Sequence, residues 1–223
     1  MLNKLKNLKE HIAQGKNAIT FDASRFNDPV AEQIQWTPLK SGGSNFTTHN
    51  LVEVNLSRFE FQPGMKSKMF SFVFIGVGVL VPIFFILNAE GFEGAEIWQM
   101  VVFSLVFGGI FIAGGLFSLR SSNKLTVFDK SIGKYWRGKE GPDVKPELMN
   151  NENVYDLSGV YALQLISQYV RSDKSSYYIY ELNFVLDNLR RVNVMRHGGK
   201  VVLRRDAEKL AEFLNKPLWD AAG

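Results

Sequence analysis

The chain has 223 residues, of which 46% are hydrophobic, and it contains no cysteine. A disulfide framework and thiol chemistry are therefore excluded. Its 26 lysine and arginine residues exceed its 22 acidic residues only slightly, so the overall charge does not indicate a nucleic-acid partner. The length allows one domain of ordinary size together with an additional segment.

The amino-terminal sequence MLNKLKNLKEHIAQGK predicts a basic amphipathic helix over residues 1–16. Its apolar side chains recur every three or four residues, while lysines occupy the other side. Apolar residues spaced in this way are not typical of a secretory signal. The helix can lie on an anionic membrane surface, or it can pack its apolar stripe on the rest of the protein.

Residues 17–68 precede the most hydrophobic region and are expected to be cytoplasmic, for the reason given below. The stretches FNDPV and WTPLKSGGSNFTTH contain Asp-Pro, Thr-Pro and Gly-Gly, which predict turns rather than a long regular element. In NLVEVNLSRFEFQP, the apolar residues Val52, Val54 and Leu56 alternate with polar residues. This period of two residues predicts a strand near residues 51–61.

Two uncharged apolar stretches follow, at residues 69–87 and 97–119. At about 1.5 Å per residue, a helix over the first stretch is close to 30 Å long, which matches the hydrocarbon core of a membrane. A chain of this size leaves no domain large enough to bury two such helices. The pattern predicts a transmembrane hairpin over residues 69–119.

Charged residues at the ends of the two stretches predict the orientation of the hairpin. The short connection between them carries Glu90, Glu93 and Glu96 and neither lysine nor arginine. Basic residues flank the outer ends, namely Arg58, Lys66, Lys68, Arg120, Lys124, Lys130, Lys134, Arg137 and Lys139. Because basic residues near span ends stay cytoplasmic, both termini are expected inside and the acidic connection outside.

Small residues are frequent in the second apolar stretch, where they predict close packing of helices in lipid. These are Ser104, Gly108, Gly109, Ala113, Gly114 and Gly115. They can pack the two helices of the hairpin together, or they can support a homo-oligomer or the docking of another membrane protein. Neither stretch contains an ionisable side chain, which argues against a proton path, a transporter or a voltage sensor.

The region after the hairpin predicts about five or six antiparallel strands and a helix. A hairpin over residues 125–137 comes first, and alternating apolar residues predict further strands in GVYALQLISQYV, YYIYELNFVL and RRVNVMRH. The sequence VVL at residues 201–203 can add a short strand. Asp206 is expected to cap a helix that Pro217 ends.

The succession LTVFD, GKYWRG, VYALQLI, YELNFVL and RRVNVM, followed by DAEKLAEFL, resembles the pleckstrin-homology-like (PH-like) domains that bacteria attach to membrane hairpins. The segments WTPLKSGGSNFTTH and YELNFVL with NKPLWD also resemble two-span proteins of Gram-negative bacteria. The resemblance implies an α+β membrane protein with a small antiparallel barrel or bent sheet over residues 120–223, capped by a carboxy-terminal helix. It also implies location in the inner membrane and a binding or scaffolding role, with no shared catalytic residue.

Candidate residues for chemistry are few. The histidines His11, His49 and His197 lack metal-ligand spacing, and each is expected on the surface or in a turn. Glu181 lies in a strongly apolar strand, and Arg190 or Arg191 on the neighbouring strand is its expected partner. The sequence therefore predicts no catalytic residue, no metal site and no cofactor.

One stretch, RRVNVMRHGGKVVLRRD, concentrates positive charge. Its basic residues are Arg190, Arg191, Arg196, Lys200, Arg204 and Arg205. In a domain held at the bilayer they can contact anionic lipid, or they can form a solvated face of a hairpin. Nucleic acid is a poorer partner because no aromatic residues alternate with these arginines.

These patterns together favour a non-enzymatic membrane protein that acts as an accessory, assembly or scaffolding factor. Its expected partners are membrane lipid and a membrane protein or further copies of itself. The alternative is a subunit of an oligomeric channel or transport complex, and an enzyme is the third hypothesis.

Overall fold

A computed structural model describes residues 21–43, 45–88, 94–122, 125–145, 153–171 and 175–223. The helix predicted over residues 1–16 lies outside the described residues. The chain divides into two compact units. One contains the residues up to Asn45 together with Ser158–Gly223, and the other is Phe46–Leu157.

The unit Phe46–Leu157 contains an antiparallel sheet in the order β1-β2-β3-β4-β5. Its strands are β1 (His49–Asn55), β2 (Arg58–Pro63), β3 (Thr126–Asp129), β4 (Lys134–Arg137) and β5 (Val154–Asp156). The single strand predicted near residues 51–61 is therefore wrong, because a turn divides it. The Asn55 side chain stabilises this turn by accepting a hydrogen bond from the Ser57 amide at 2.9 Å.

The helices α2 (Met65–Leu87) and α3 (Ala95–Ser122) separate β2 from β3 in the sequence and contact each other. Both are long and apolar enough to cross a membrane, over Lys68–Leu87 and Glu96–Arg120. These ranges agree with the predicted stretches to within one residue at each end. Pro82 lies inside α2 and is buried.

The other unit contains a sheet in the order β8-β7-β6-β9. Its strands are β6 (Val160–Arg171), β7 (Ser176–Leu186), β8 (Arg191–His197) and β9 (Leu218–Ala221). Strand β9 runs parallel to β6, and the sequence analysis does not predict it. Pro217 lies directly before β9 and outside any helix. The helix α4 (Lys200–Leu214) connects β8 to β9.

Helix α4 begins earlier than predicted. Residues 201–203 belong to its first turn, so the short strand expected there is wrong, and Asp206 is an interior residue rather than the cap. The apolar residues Leu203, Ala207 and Leu210 are all fully buried and recur at helical spacing. Burial of Leu203 therefore favours a helix despite the strand preference of the two preceding valines.

The amino-terminal part of this unit, residues 21–43, begins with a 3₁₀ turn (Ala23–Phe26) and the short helix α1 (Pro29–Gln33). Asp28 caps α1 and Pro29 begins it, so the Asp-Pro pair that predicted a turn starts a helix instead. Aromatic side chains then gather beside the sheet, with Trp36 stacked on Phe26 at 5.2 Å between ring centroids. Ala162, Val185 and Trp219 of the sheet complete this core.

The two faces of the β8-β7-β6-β9 sheet differ in polarity. One face carries the buried residues Leu163, Leu165, Leu182 and Phe184, and α4 packs against β6 and β7. The other face, which we call the polar face, carries Gln164, Gln168, Glu181, Asn183, Arg191, Asn193 and Arg196 together with the buried apolar residues Ala162, Ile166, Ile179, Val185 and Trp219. The fold is thus α+β with two apolar helices, as predicted, but the described strands do not close into a barrel.

Candidate functional site

The polar face of the β8-β7-β6-β9 sheet is organised around Glu181. This carboxylate is only 1% exposed and accepts a hydrogen bond from the Asn183 side-chain amide at 2.9 Å. Arg196 lies opposite it on β8, with its Nη1 3.5 Å from the Glu181 Oε2. A buried carboxylate is tolerated only when such partners compensate for its loss of hydration.

The partner predicted for Glu181 is wrong. Strand register places Arg191 opposite Val185 and Arg196 opposite Glu181, because an irregularity lies between Leu182 and Asn183. Burial lowers the pKa of Arg191 and of Arg196 from its ordinary value, and the negative charge of Glu181 opposes this shift at both residues.

Residues 37–43, which we call the strap, lie across this polar face. The Leu39 amide donates a hydrogen bond to Glu181 at 2.9 Å, and the Lys40 amide donates another at 3.4 Å. Arg191 donates to the Thr37 carbonyl at 2.8 Å, and Arg196 donates to the Lys40 carbonyl. Each of these bonds ends on a main-chain atom of the strap.

The side chains of the strap are largely turned away from the sheet. Thr37 and Lys40 are exposed, and Leu39 is 40% exposed. Just before the strap, the chain is anchored by side chains instead, since Ile34 is buried and Trp36 lies in the aromatic core. At its far end, Gly43 has a φ of +136° and carries a carbonyl that accepts a hydrogen bond from Tyr177 at 3.4 Å.

The structure separates the six basic residues predicted as one surface. Arg191 and Arg196 take part in the buried contacts just described. Arg204 forms a paired hydrogen bond with Asp220 at 2.5 and 3.2 Å, which raises the pKa of Arg204, and Lys200 donates to the Gly223 carbonyl. Arg205 pairs with the buried Asp206 at 3.0 Å.

Arg190 and Arg205 are the most exposed of the six. Arg190 lies in the turn before β8, and 56% of the Arg205 side chain is accessible. Contact of the whole set with an anionic surface remains a prediction. At Arg191 and Arg196 the positive charge is already used to hold the strap and Glu181.

Small residues form the contact between α2 and α3. A Cβ atom at Gly78 would lie 2.7 Å from the Gly108 carbonyl oxygen, and one at Gly115 would lie 2.9 Å from the Ser71 carbonyl oxygen. The backbones approach so closely only because these residues lack side chains. Ser104 is buried, and its hydroxyl donates to the Val101 carbonyl within its own helix at 2.9 Å.

The remaining small residues predicted for helix packing lie elsewhere on α3. Gly109 has open space around its Cβ position, and Ala113 and Gly114 are exposed. Of these, Gly114 comes nearest to α2, at 3.8 Å from Phe74. Ser104, Gly108 and Gly115 therefore belong to the hairpin contact, whereas Gly109 and Ala113 face outward.

A hydrogen bond between Ser71 and Ser118 joins the two helices at 2.8 Å. We expect Ser71→Ala to destabilise the hairpin by about 0.6 kcal/mol, the average for such bonds in membrane proteins. A double-mutant cycle with Ser118→Ala checks this value. If the two substitutions are additive, the bond makes no contribution.

The two described histidines, His49 and His197, have different surroundings. His197 is completely buried rather than on the surface, and its Nδ1 accepts a hydrogen bond from the Gly199 amide at 3.1 Å. His49 is partly exposed in β1, and its Nδ1 lies 3.0 Å from the Thr48 hydroxyl. Within the described ranges, no three His, Asp or Glu side chains cluster as metal ligands would. His11 lies outside the described residues.

Comparison of the chain with protein-family models, curated proteins and solved structures found no match. The functional argument therefore rests on the geometry of α2 and α3 and of the polar sheet face.

Proposed function

We propose that the chain is a membrane-anchored accessory or scaffolding protein, without catalytic activity, that binds a protein partner. The outer surface of α2 and α3 carries this proposal. Large apolar side chains cover that surface, including Phe72, Leu80, Phe84, Phe103, Leu105, Ile110 and Phe117. Exposure of apolar area to water costs about 25 cal/mol per Å². Such a surface is therefore unfavourable in water and favourable in lipid.

The proposed orientation places both ends of the hairpin in the cytoplasm. Lys66 precedes the first apolar range, Lys68 begins it, and Arg120 ends the second. Glu96 lies at the connection between α2 and α3, where neither lysine nor arginine occurs in residues 88–96. Basic residues resist translocation more strongly than acidic residues do, so this distribution supports cytoplasmic termini and an external connection. The proposed membrane is the bacterial inner membrane.

The β-rich part is proposed to be a PH-like binding domain. Its support is the succession of antiparallel strands β6, β7 and β8, followed by α4, which packs on the apolar face of the same sheet. A binding role is favoured over catalysis because the buried ionisable side chains Glu181 and Arg196 are engaged with each other and with the strap.

Cysteine accessibility tests the orientation. Because the chain contains no cysteine, Gly94→Cys and Lys209→Cys each introduce a unique thiol, both at exposed positions. In intact cells, a membrane-impermeant maleimide is expected to label Gly94→Cys and not Lys209→Cys. Permeabilised cells should show labelling of both. Labelling of Lys209→Cys in intact cells, or recovery of the protein without detergent, would contradict the anchored orientation.

Co-purification tests the accessory role. Extraction from native membranes in mild detergent, followed by mass spectrometry, is expected to recover a defined membrane complex at fixed stoichiometry. Conductance of liposomes that contain only this protein would instead support a channel subunit. Labelling of the intact protein by a nucleophile-directed probe would support an enzyme.

A further inference from the structure

We propose that the polar face of the β8-β7-β6-β9 sheet is a peptide-binding groove, which the strap occupies in the present structure. The groove consists of Gln164, Gln168, Tyr177, Glu181, Arg191 and Arg196. Its second occupant is an extended segment of a partner protein, bound through its main chain in place of the strap. This inference rests on the proposed partner-binding role and assigns it a site.

The groove contacts main-chain atoms and is therefore largely indifferent to the side chains of its occupant. It offers Arg191 to one carbonyl, Glu181 to two successive amides and Arg196 to a second carbonyl. Charged groups make the stronger class of hydrogen bond with such main-chain partners. Any segment that presents an acceptor, two donors and an acceptor at the spacing of Thr37, Leu39 and Lys40 meets these requirements.

The hydrogen-bonding groups beneath the strap allow it to leave, because a carboxylate, two guanidinium groups and a tyrosine hydroxyl can all be solvated by water. Ile166 and Ile179 also lie on this face and are almost completely buried, and the Ile179 Cδ1 lies 3.2 Å from the Cβ position of Gly43. That contact favours replacement of the strap by another segment over an empty groove.

The anchor and the strap are held by different interactions. Ile34 and Trp36 are held by the aromatic core, and Gln164 donates to the Gln35 carbonyl at 3.0 Å. From Thr37 onward, hydrogen bonds to the sheet replace apolar packing. Release can therefore begin at Thr37 without disturbing the core or the opposite face, where α4 packs.

The strap competes with a partner as an intramolecular ligand. While the strap occupies the groove, an added peptide binds more weakly. The loss of affinity is set by the ratio of protein with the strap bound to protein with the strap released. Weakening the strap should therefore raise the affinity for a peptide added in trans. A strap that is only a structural connection would give no such gain.

The test uses the full-length protein in detergent and a fluorescent synthetic peptide with the sequence of residues 37–43. Leu39→Pro removes the amide that donates to Glu181, whereas Leu39→Ala retains it and is the matched control. We expect Leu39→Pro to bind the peptide at least about tenfold more tightly than wild type or Leu39→Ala, since one charge-assisted hydrogen bond is lost in cis. Adding Glu181→Gln to Leu39→Pro should reduce that affinity about tenfold.

Peptide variants test whether the main chain is what binds. A peptide with alanine at the positions of Thr37 and Ser41, which are both exposed, should bind Leu39→Pro as the original peptide does. A peptide with proline at the position of Leu39 should bind at least about tenfold more weakly. Dependence on the two exposed side chains instead would overturn main-chain binding.

Hydrogen exchange of the same variants shows whether the strap opens by itself. In Leu39→Pro, protection should fall in residues 37–43 and persist in α4. Joint loss of protection in α4 would show that the strap is part of the core, and unchanged protection would show that the amide does not hold it. Either outcome overturns the proposal, as does equal peptide binding by Leu39→Pro and Leu39→Ala. A membrane complex that co-purifies equally with the Glu181→Gln variant would reject the groove and leave the accessory role intact.

Discussion

Substitution of Gly108 by leucine is expected to destabilise the contact between α2 and α3 by about 3 kcal/mol, the upper end of the range for overpacking. The Cβ position at Gly108 already overlaps the Gly78 carbonyl oxygen and lies 2.5 Å from the Pro82 Cγ. Neither a carbonyl oxygen nor a proline ring can rotate away from the added atoms. The two helices must therefore separate to accept the side chain.

Gly109→Leu is the matched control for this substitution. Both changes replace glycine with leucine inside α3, so the gain in helix propensity is the same. The Cβ position at Gly109 meets nothing within 4 Å, and its effect should stay within about 0.5 kcal/mol. Titration of detergent micelles with sodium dodecyl sulfate, followed by tryptophan fluorescence, measures both values. Equal effects at Gly108 and Gly109 would mean that the helices do not pack through this surface.

The sequence alone predicts that α2 and α3 exist but not which surface joins them. The absence of charge over residues 69–87 and 97–119 indicates the helices directly. Two pairs of small residues have the same spacing of four positions, namely Ser104 with Gly108 and Gly109 with Ala113. Spacing alone therefore favours neither pair as the helix contact. Only the position of Gly78 on the neighbouring helix distinguishes them, and that position is a tertiary fact.

Counting strand register alone could not have predicted the partner of Glu181. If Val185 lies opposite Arg191, each step along β7 toward its beginning moves one residue along β8, and Glu181 falls beside Met195. The irregularity after Leu182 then moves it to Arg196. Nearness in sequence to the turn favoured Arg190 and Arg191, whereas register decides which side chains meet across a sheet.

The strap is the feature that the sequence indicates least. Its contacts use carbonyl and amide groups that every residue except proline possesses in full. No pattern of side chains in Thr37, Leu39 and Lys40 therefore marks the binding of this segment to the sheet. The polar residues beneath it do give a signal, because Glu181 interrupts an otherwise apolar strand and a buried carboxylate needs partners.

The second large effect is expected at Arg58, which the sequence analysis used only as a charge near the first apolar stretch. In the structure its guanidinium lies 2.8 Å from Glu60 and 3.8 Å from Asp129, and 5.2 Å from the centre of the Trp136 ring. The side chains of Glu60 and Asp129 are only 7% and 11% exposed. Arg58 therefore neutralises two nearly buried carboxylates that lie on neighbouring strands.

Arg58→Ala should lower the free energy of unfolding of this unit by about 3 kcal/mol, because it leaves both carboxylates without their cation. This is the lower end of the range for a broken buried pair, since 28% of the Arg58 side chain is exposed. Arg58→Lys should cost less, because it retains the charge and loses the planar contact with Glu60 and Trp136.

Lys66→Ala separates this structural role from a general effect of charge. It removes one positive charge from the first turn of α2. Because Lys66 is exposed, the effect on the free energy of unfolding should stay within about 0.5 kcal/mol. Urea unfolding of the protein in detergent, followed by tryptophan fluorescence, compares the variants. If Arg58→Ala and Lys66→Ala prove equally stable, Arg58 acts only through its charge. A gap of several kcal/mol would show that Arg58 holds β2 to β3 at the end of these strands that lies away from α2 and α3.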